Sequence, residues 1–311
     1  MRVLADLHHE GLYKSLRMLF EGRLGGEVLR PVGMDWFDEG CWGYPHFAKE
    51  TAAQFLGPGV YQHKGVTLSE FLGSWRAYGL MLSSTPDQWR AWENMRQTHG
   101  ITIPHVFQSG NEWALPPCRN FLNSTTLPAP PGCHTVTYHQ EFSLTDYYKP
   151  SAAEKPGRVI SSFMHYNPRP DYFYALEREM PDWIFREYGA GGRDGQPADL
   201  TWAMRATRYL FHLKPVEAYG YNTFYAAACG VPIFMRVRQN QHQKIGEVLR
   251  AGETCLDLDD YVSPGHLADA IRLFDARHEE HSRAIYEAFR EHVNFDAEEA
   301  KIRAWLETIA R

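Results

Sequence analysis

Two adjacent histidines, His8 and His9, end the first apolar run of the chain. An imidazole there can take a proton from a hydroxyl near neutral pH. Asp35 follows the second apolar run and is the other candidate base, with Glu10 beside the histidines. Farther along, Gly220 precedes Tyr221, Asn222 and Thr223 at the start of a helix-forming run. The first amides of a helix bind anions, phosphates above all, and a glycine lets the loop approach closely. Lys214 and Arg169 each lie just past a strand-like run, where a cation neutralises charge on a departing phosphate. His212 either supports Lys214 or packs within its strand. Glu217 can accept hydrogen bonds from hydroxyls. Asp257 and Asp259 are spaced to chelate a metal, but their place after a strand reads as a solvated loop. Cys41, Cys118, Cys133, Cys229 and Cys255 are odd in number and contain no CxxC pair. They suggest neither a zinc site nor a disulfide framework.

Elements of alternating type must position these groups. Residues 2–7 read as a strand, and the apolar members of Leu12, Leu16, Leu19, Phe20 and Arg23 follow on one helical face. Gly25-Gly26 ends that helix, and residues 27–32 form a second strand, so the chain opens as a parallel βαβ unit. Residues 47–85 carry no pattern that assigns them. Thr85, Pro86 and Asp87 give a strong helix start, followed by a strand that runs into Gly110-Asn111. Residues 113–156 are rich in Pro, Ser and Thr, and their end, 149–158, reads as an interdomain linker. A second α/β pattern follows, with Asp199 capping one helix and Gly230 closing another. The last segment, 296–311, is amphipathic through Ile302, Trp305, Leu306 and Ile309. Two domains result: 1–152 with 296–311, and 153–295.

The totals bound the function. The chain has 311 residues, a normal apolar content of 44% and a net charge of -6, which argues against a broadly basic nucleic-acid binder. Neither a signal leader nor a run long enough to span a bilayer is evident, so a cytoplasmic protein without membrane contact is expected.

The segment Glu217–Phe234, EAYGYNTFYAAACGVPIF, resembles the donor-site signature of GT-B glycosyltransferases. Glu217, Gly220, Ala228, Cys229, Gly230, Val231 and Pro232 carry the match. The resemblance implies two Rossmann-like parallel-sheet domains facing a cleft, with a C-terminal helix that crosses back to the first. It implies transfer of a hexose or N-acetylhexosamine from a UDP-sugar, without a metal or other cofactor. Arg169, His212, Lys214, Glu217, Tyr219, Gly220, Tyr221, Asn222, Thr223 and Tyr225 then form the donor site. Tyr225 departs from the pattern, because the family often places a second Glu there for the ribose.

Residues 6–36 and 212–224 further resemble virus-encoded glycosyltransferases that modify 5-hydroxymethylcytosine in DNA. That likeness implies a bacteriophage enzyme of the host cytoplasm with double-stranded DNA as partner, the target base being flipped or exposed. In this reading His8, His9 or Asp35 is the catalytic base, and Glu10, Trp36, Gly110 and Asn111 face the acceptor. Phe37, Trp42, Tyr44 and Trp113 offer further stacking rings. A polysaccharide, glycolipid or small-molecule acceptor, and a non-catalytic nucleotide- or sugar-binding module, are the competing readings. Retention or inversion at the anomeric carbon stays open.

Overall fold

The computed structural model describes residues 1–6, 10–39, 41, 64–110, 115–151, 154, 157–163, 170–189, 191–214 and 219–310. Strand β1 (Arg2–Asp6) is followed by helix α1 (Glu10–Arg17), which widens into a π-helical turn over Met18–Arg23. Leu12, Leu16, Leu19 and Phe20 are all buried, as their spacing predicts. Next come β2 (Glu27–Pro31), α2 (Met34–Asp38), β3 (Gly65–Val66), α3 (Leu68–Ser74) and β4 (Tyr78–Ser83). Thr85 caps α4 (Pro86–His99), accepting a hydrogen bond from the Gln88 amide, with Pro86 in the first turn. Strands β5 (His105–Ser109), β6 (Asn120–Asn123) and β7 (His134–Thr137) complete a parallel seven-stranded sheet in the order β3-β2-β1-β4-β5-β6-β7.

Three of these strands correct the sequence reading. Strand β4 comes from the unassigned 47–85 stretch, yet it sits between β1 and β5. Its Leu80-Met81-Leu82 run is buried on both faces and so lacks alternation. Strands β6 and β7 lie within the Pro-, Ser- and Thr-rich stretch. They are four residues each and leave the prolines to the turns between them.

The second sheet joins β8 (Val159–Phe163), β9 (Ile184–Tyr188), β10 (Tyr209–His212), β11 (Ile233–Met235) and β12 (Cys255–Asp257) in the parallel order β12-β11-β10-β8-β9. Helices α5 (Pro170–Glu179), α6 (Leu200–Arg205), α7 (Tyr221–Ala228) and α8 (Val237–Asn240) alternate with these strands. Asp199 caps α6 through the Trp202 amide. The long helical stretch after β12 divides at Ala276-Arg277 into α9 (Pro264–Asp275) and α10 (His278–His292).

The chain forms two compact units, Met1–Phe142 with Phe295–Arg311, and Ser143–Asn294. Helix α11 (Phe295–Ile309) brings the chain back to the first unit. Its Ile302 and Trp305 enter the core beside Val136 and Tyr138, and the Trp305 indole donates to the His134 carbonyl at 2.9 Å. A second tie is polar: Glu298 accepts from the His139 amide at 2.8 Å and lies 2.5 Å from the His139 Nδ1. None of the helices among the described residues is long and apolar enough to cross a membrane.

Candidate functional site

In the second unit, β10, β11 and β12 end in register, placing His212, Met235 and Asp257 in a row along the sheet's carboxyl edge. Ligands of open parallel sheets bind along that edge. Helix α7 starts there. Gly220 caps it with φ 85°, a left-handed conformation that costs a residue with a Cβ about 1–2 kcal/mol. The Gly220 carbonyl accepts from the amides of Thr223 (3.1 Å) and Phe224 (3.0 Å) and from the Thr223 hydroxyl (2.5 Å). The amides of Tyr221 and Asn222 belong to the first turn of the helix, whose N–H groups have no acceptor within the helix itself. The Asn222 side-chain amide donates to the Phe163 carbonyl, fastening the helix start to the end of β8.

Aromatic packing fixes the same helix from behind. Tyr219 is buried and stacks on Phe224 with ring centroids 4.8 Å apart, while its edge meets Tyr221. Tyr225 stacks on Tyr147 at 4.1 Å. Burial pushes both of these phenols well above the ordinary tyrosine range, so they stay neutral. At the far end, Gly230 (φ 63°) lies under Lys149, whose stem would stand 2.9 Å from any added Cβ. His212 is buried at the end of β10, and Lys214, two residues on, is exposed.

At the same carboxyl edge, past the ends of β10, β11 and β12, is a cavity of about 730 Å³. Tyr172 of α5, Leu213, Arg236 after β11, and Asp259 and Tyr261 after β12 line it. The Arg236 guanidinium is held 2.8 Å from the Asp259 carboxylate. Sequence reading missed these residues, although each of Leu213, Arg236 and Asp259 follows a strand end, and that position was the available signal. Asp257 corrects an expectation. It is buried rather than solvated, because its carboxylate accepts from the amides of Val237 (3.1 Å), Arg238 (3.3 Å) and Asp259 (3.1 Å). Among the described residues no group of three or more His, Cys, Asp or Glu is placed to hold a metal.

The carboxyl edge of the seven-stranded sheet is filled by side chains. Gln88 donates to Asp6 at 2.7 Å, and its oxygen accepts from the Ser84 amide. Gln108 donates toward Ser124 and Tyr138, and Gln140 donates to Ser124 at 2.6 Å. Ser83 lies 2.9 Å from the His105 Nε2, and the His105 Nδ1 lies 2.5 Å from Glu93. Burial lowers His105 to about 4, so its ring is neutral at pH 7. Burial raises Glu93, but hydrogen bonds with His105 and Arg96 hold it below the usual carboxylate range. The Nδ1–H therefore donates to Glu93, and Nε2 accepts the Ser83 hydroxyl proton. This polar set was also missed, since its partners lie far apart in sequence.

Of the residues singled out from sequence, Tyr219, Gly220, Tyr221, Asn222, Thr223 and Tyr225 come together around the start of α7, with His212 and Lys214 at the end of the adjoining β10. His8, His9, Arg169, Glu217 and Asn111 lie outside the described residues, as do Trp42, Tyr44, Trp113 and the side chains of Glu10 and Phe37. Asp35 is exposed in the first turn of α2. Gly110 borders the filled edge, where an added Cβ would stand 3.1 Å from the Gln140 amide nitrogen. Trp36 corrects its assignment to the acceptor. It is fully buried against Phe71 and Trp92, and its indole donates to the Val66 carbonyl at 2.9 Å. A ring so enclosed has no face left for a base.

No family model matches the chain, and no curated protein matches it by sequence. Solved structures do match across both units. Anabaena HepE in complex with UDP-glucose is 13% identical, with a TM-score of 0.66 over 99% of this chain and 100% of that one. A glycosyltransferase from Rickettsia africae is 8% identical, with a TM-score of 0.68 over 100% and 98%. Sucrose-phosphate synthase from Thermosynechococcus elongatus is 11% identical, with a TM-score of 0.65 over 99% and 98%. At such identities the likeness is one of fold, and the fold of this chain is the GT-B fold of glycosyltransferases.

Proposed function

We propose that the protein is a nucleotide-sugar-dependent glycosyltransferase whose second unit binds the donor at the carboxyl edge of the five-stranded sheet. The observation that carries this reading is the start of α7. A left-handed Gly220 opens the helix, and Asn222 ties it to the end of β8. The first-turn amides there supply hydrogen bonds to a diphosphate and favour the negative charge that grows on it as the glycosidic bond breaks. Lys214, and Arg169 in the sequence between β8 and α5, add positive charge. Glu217 accepts from the hydroxyls of the sugar. His8, His9 or Asp35 removes the proton of the acceptor hydroxyl.

HepE was solved with UDP-glucose, which makes UDP-glucose the first donor to try, followed by UDP-N-acetylglucosamine. For the acceptor, 5-hydroxymethylcytosine in DNA is supported by the sequence resemblance, with Trp36 buried and not part of that site. The acceptor is therefore a hydroxyl whose carrier is to be found by experiment.

The test incubates the protein with UDP-sugars and three acceptor classes: 5-hydroxymethylcytosine DNA, oligosaccharides and small hydroxylated molecules. Mass spectrometry reads a hexose or N-acetylhexosamine gain. UDP and uridine are titrated in parallel, and UDP should bind more tightly than uridine. Tight UDP binding with neither transfer nor donor hydrolysis would leave a binding module. Absence of UDP binding would remove the donor site itself.

A further inference from the structure

The cysteines are scattered in sequence, but the fold brings two of them together. Cys118 lies two residues before β6 and Cys133 one residue before β7. These strands are parallel neighbours with Asn120 opposite His134. The Cys118 and Cys133 sulfurs are 4.0 Å apart. Backbone hydrogen bonds hold both segments: the Cys118 amide to the Pro116 carbonyl, the Cys133 amide to the Pro130 carbonyl, and the His134 amide to the Arg119 carbonyl at 2.7 Å. Neighbouring strands lie about 4.8 Å apart, and disulfides span Cα separations of about 4.4–6.8 Å. Offset by one residue in this register, the two cysteines still hold their sulfurs 4.0 Å apart, so a small movement brings them to bonding distance.

The two thiols differ in access. Cys118 is buried in the small cluster of Trp89, Phe107 and Phe121, whereas Cys133 is half-buried at its edge. Burial and the neighbouring Cys133 push the Cys118 thiol up to about 12.

We propose that Cys118 and Cys133 form a modification site, a dithiol that exchanges with low-molecular-weight disulfides such as glutathione disulfide to close an internal cross-link between β6 and β7. The more accessible member, Cys133, reacts first. The Cys133 thiolate attacks one sulfur of glutathione disulfide, breaking its S–S bond and releasing one glutathione thiolate. Cys118 then gives its proton to solvent and attacks the Cys133 sulfur of the mixed disulfide. That step expels the second glutathione thiolate, which takes up a proton. Two protein thiols are oxidised and one glutathione disulfide is reduced to two thiols. The second step is slow at neutral pH and quickens as pH rises, because Cys118 must first ionise.

The bridge closes a ring across 15 positions of sequence. A loop of that size restricts the unfolded chain enough to raise the unfolding midpoint of its unit by roughly 5–10 °C. The pair sits at the amino ends of β6 and β7, whereas Asn123 and Ser124 mark the opposite edge. UDP binding should therefore be the same with the bridge open or closed.

The experiment takes the reduced full chain, adds glutathione disulfide at pH 8, and follows intact mass and peptide maps. The expected product has lost two hydrogens and yields a linked Cys118–Cys133 peptide, with a higher midpoint that dithiothreitol reverses. Cys118→Ser should instead keep a stable glutathione adduct on Cys133, and Cys133→Ser should leave Cys118 unmodified. A wild-type chain that ends as a stable adduct, keeps all five thiols, or links other cysteines would overturn the proposal. The wild-type map decides the matter even if a variant fails to fold.

Discussion

The carboxyl edges of the two sheets have been put to opposite uses. Along the seven-stranded sheet, Gln88 donates to Asp6, and Gln108 and Gln140 donate to Ser124, all of these side chains being buried. Along the five-stranded sheet, the start of α7 and the cavity beside Arg236 present polar groups to solvent. A closed polar edge specifies packing, because each of its groups is costly to leave unpaired. An open one is available to a ligand. Substitutions at the open edge should therefore change binding and turnover, and those at the closed edge should change stability.

The largest effect is expected at the open edge. Glu217→Ala should lower transfer by roughly 100-fold, the scale of one lost transition-state contact, with an unchanged unfolding midpoint. Equal losses of activity and stability would remove Glu217 from the sugar site. Lys214→Ala belongs beside it and should weaken UDP more than uridine. If both ligands weaken alike, Lys214 is not at the phosphates.

Just below the closed edge, at the amino end of β5, His105→Phe keeps the stack on Trp89, whose ring centroid is 3.9 Å away, but removes the contacts with Ser83 and Glu93. A cost of about 2–3 kcal/mol is expected by urea unfolding, with unchanged UDP affinity. The wild-type protein should also show a pH signature. Folded His105 stays neutral down to about 4, while the unfolded chain takes up its proton at 6.5. Between those values the unfolded state binds more protons, so stability falls as pH is lowered from 6.5 to 4. The share of His105 is constant above that window and amounts to about 3 kcal/mol across it. In His105→Phe this part of the slope should vanish. A slope equal to the wild type's would assign it to other groups.

Local rules were readable where one short segment carries the whole signal. Thr85 with Pro86, Asp199, Gly230 and the apolar spacing of α1 mark their elements as the structure places them. The GT-B fold was legible from the Gly220–Pro232 pattern and the two α/β halves. Strand β4 was not, because a strand buried on both faces reads as a short apolar run that suits helix or strand equally. The closed edge was invisible for a different reason: Asp6 and Gln88 are 82 residues apart, and no local pattern announces their hydrogen bond. Buried Cys118 and half-buried Cys133 met in the same way.

Asp257 tests a boundary between the two kinds of edge, since it sits on the open edge yet is spent on structure. Its carboxylate holds the start of α8. Asp257→Ala should cost about 1–2 kcal/mol, the value of a helix cap, and should leave UDP affinity within twofold. A large loss of affinity at full stability would move Asp257 into the binding site.

The smallest effect separates packing from recognition in the first unit. Trp36→Phe keeps an aromatic ring against Phe71 and Trp92 but removes the indole hydrogen bond to Val66 together with part of the ring's packing. One hydrogen bond is worth about 1 kcal/mol, so the unfolding midpoint should drop by a few degrees. Acceptor KM should stay the same, because a ring with no exposed face cannot stack on a base or a sugar. A rise in acceptor KM without loss of stability would mean that Trp36 leaves the core when the acceptor binds, and the first unit would then contain an opening edge of its own.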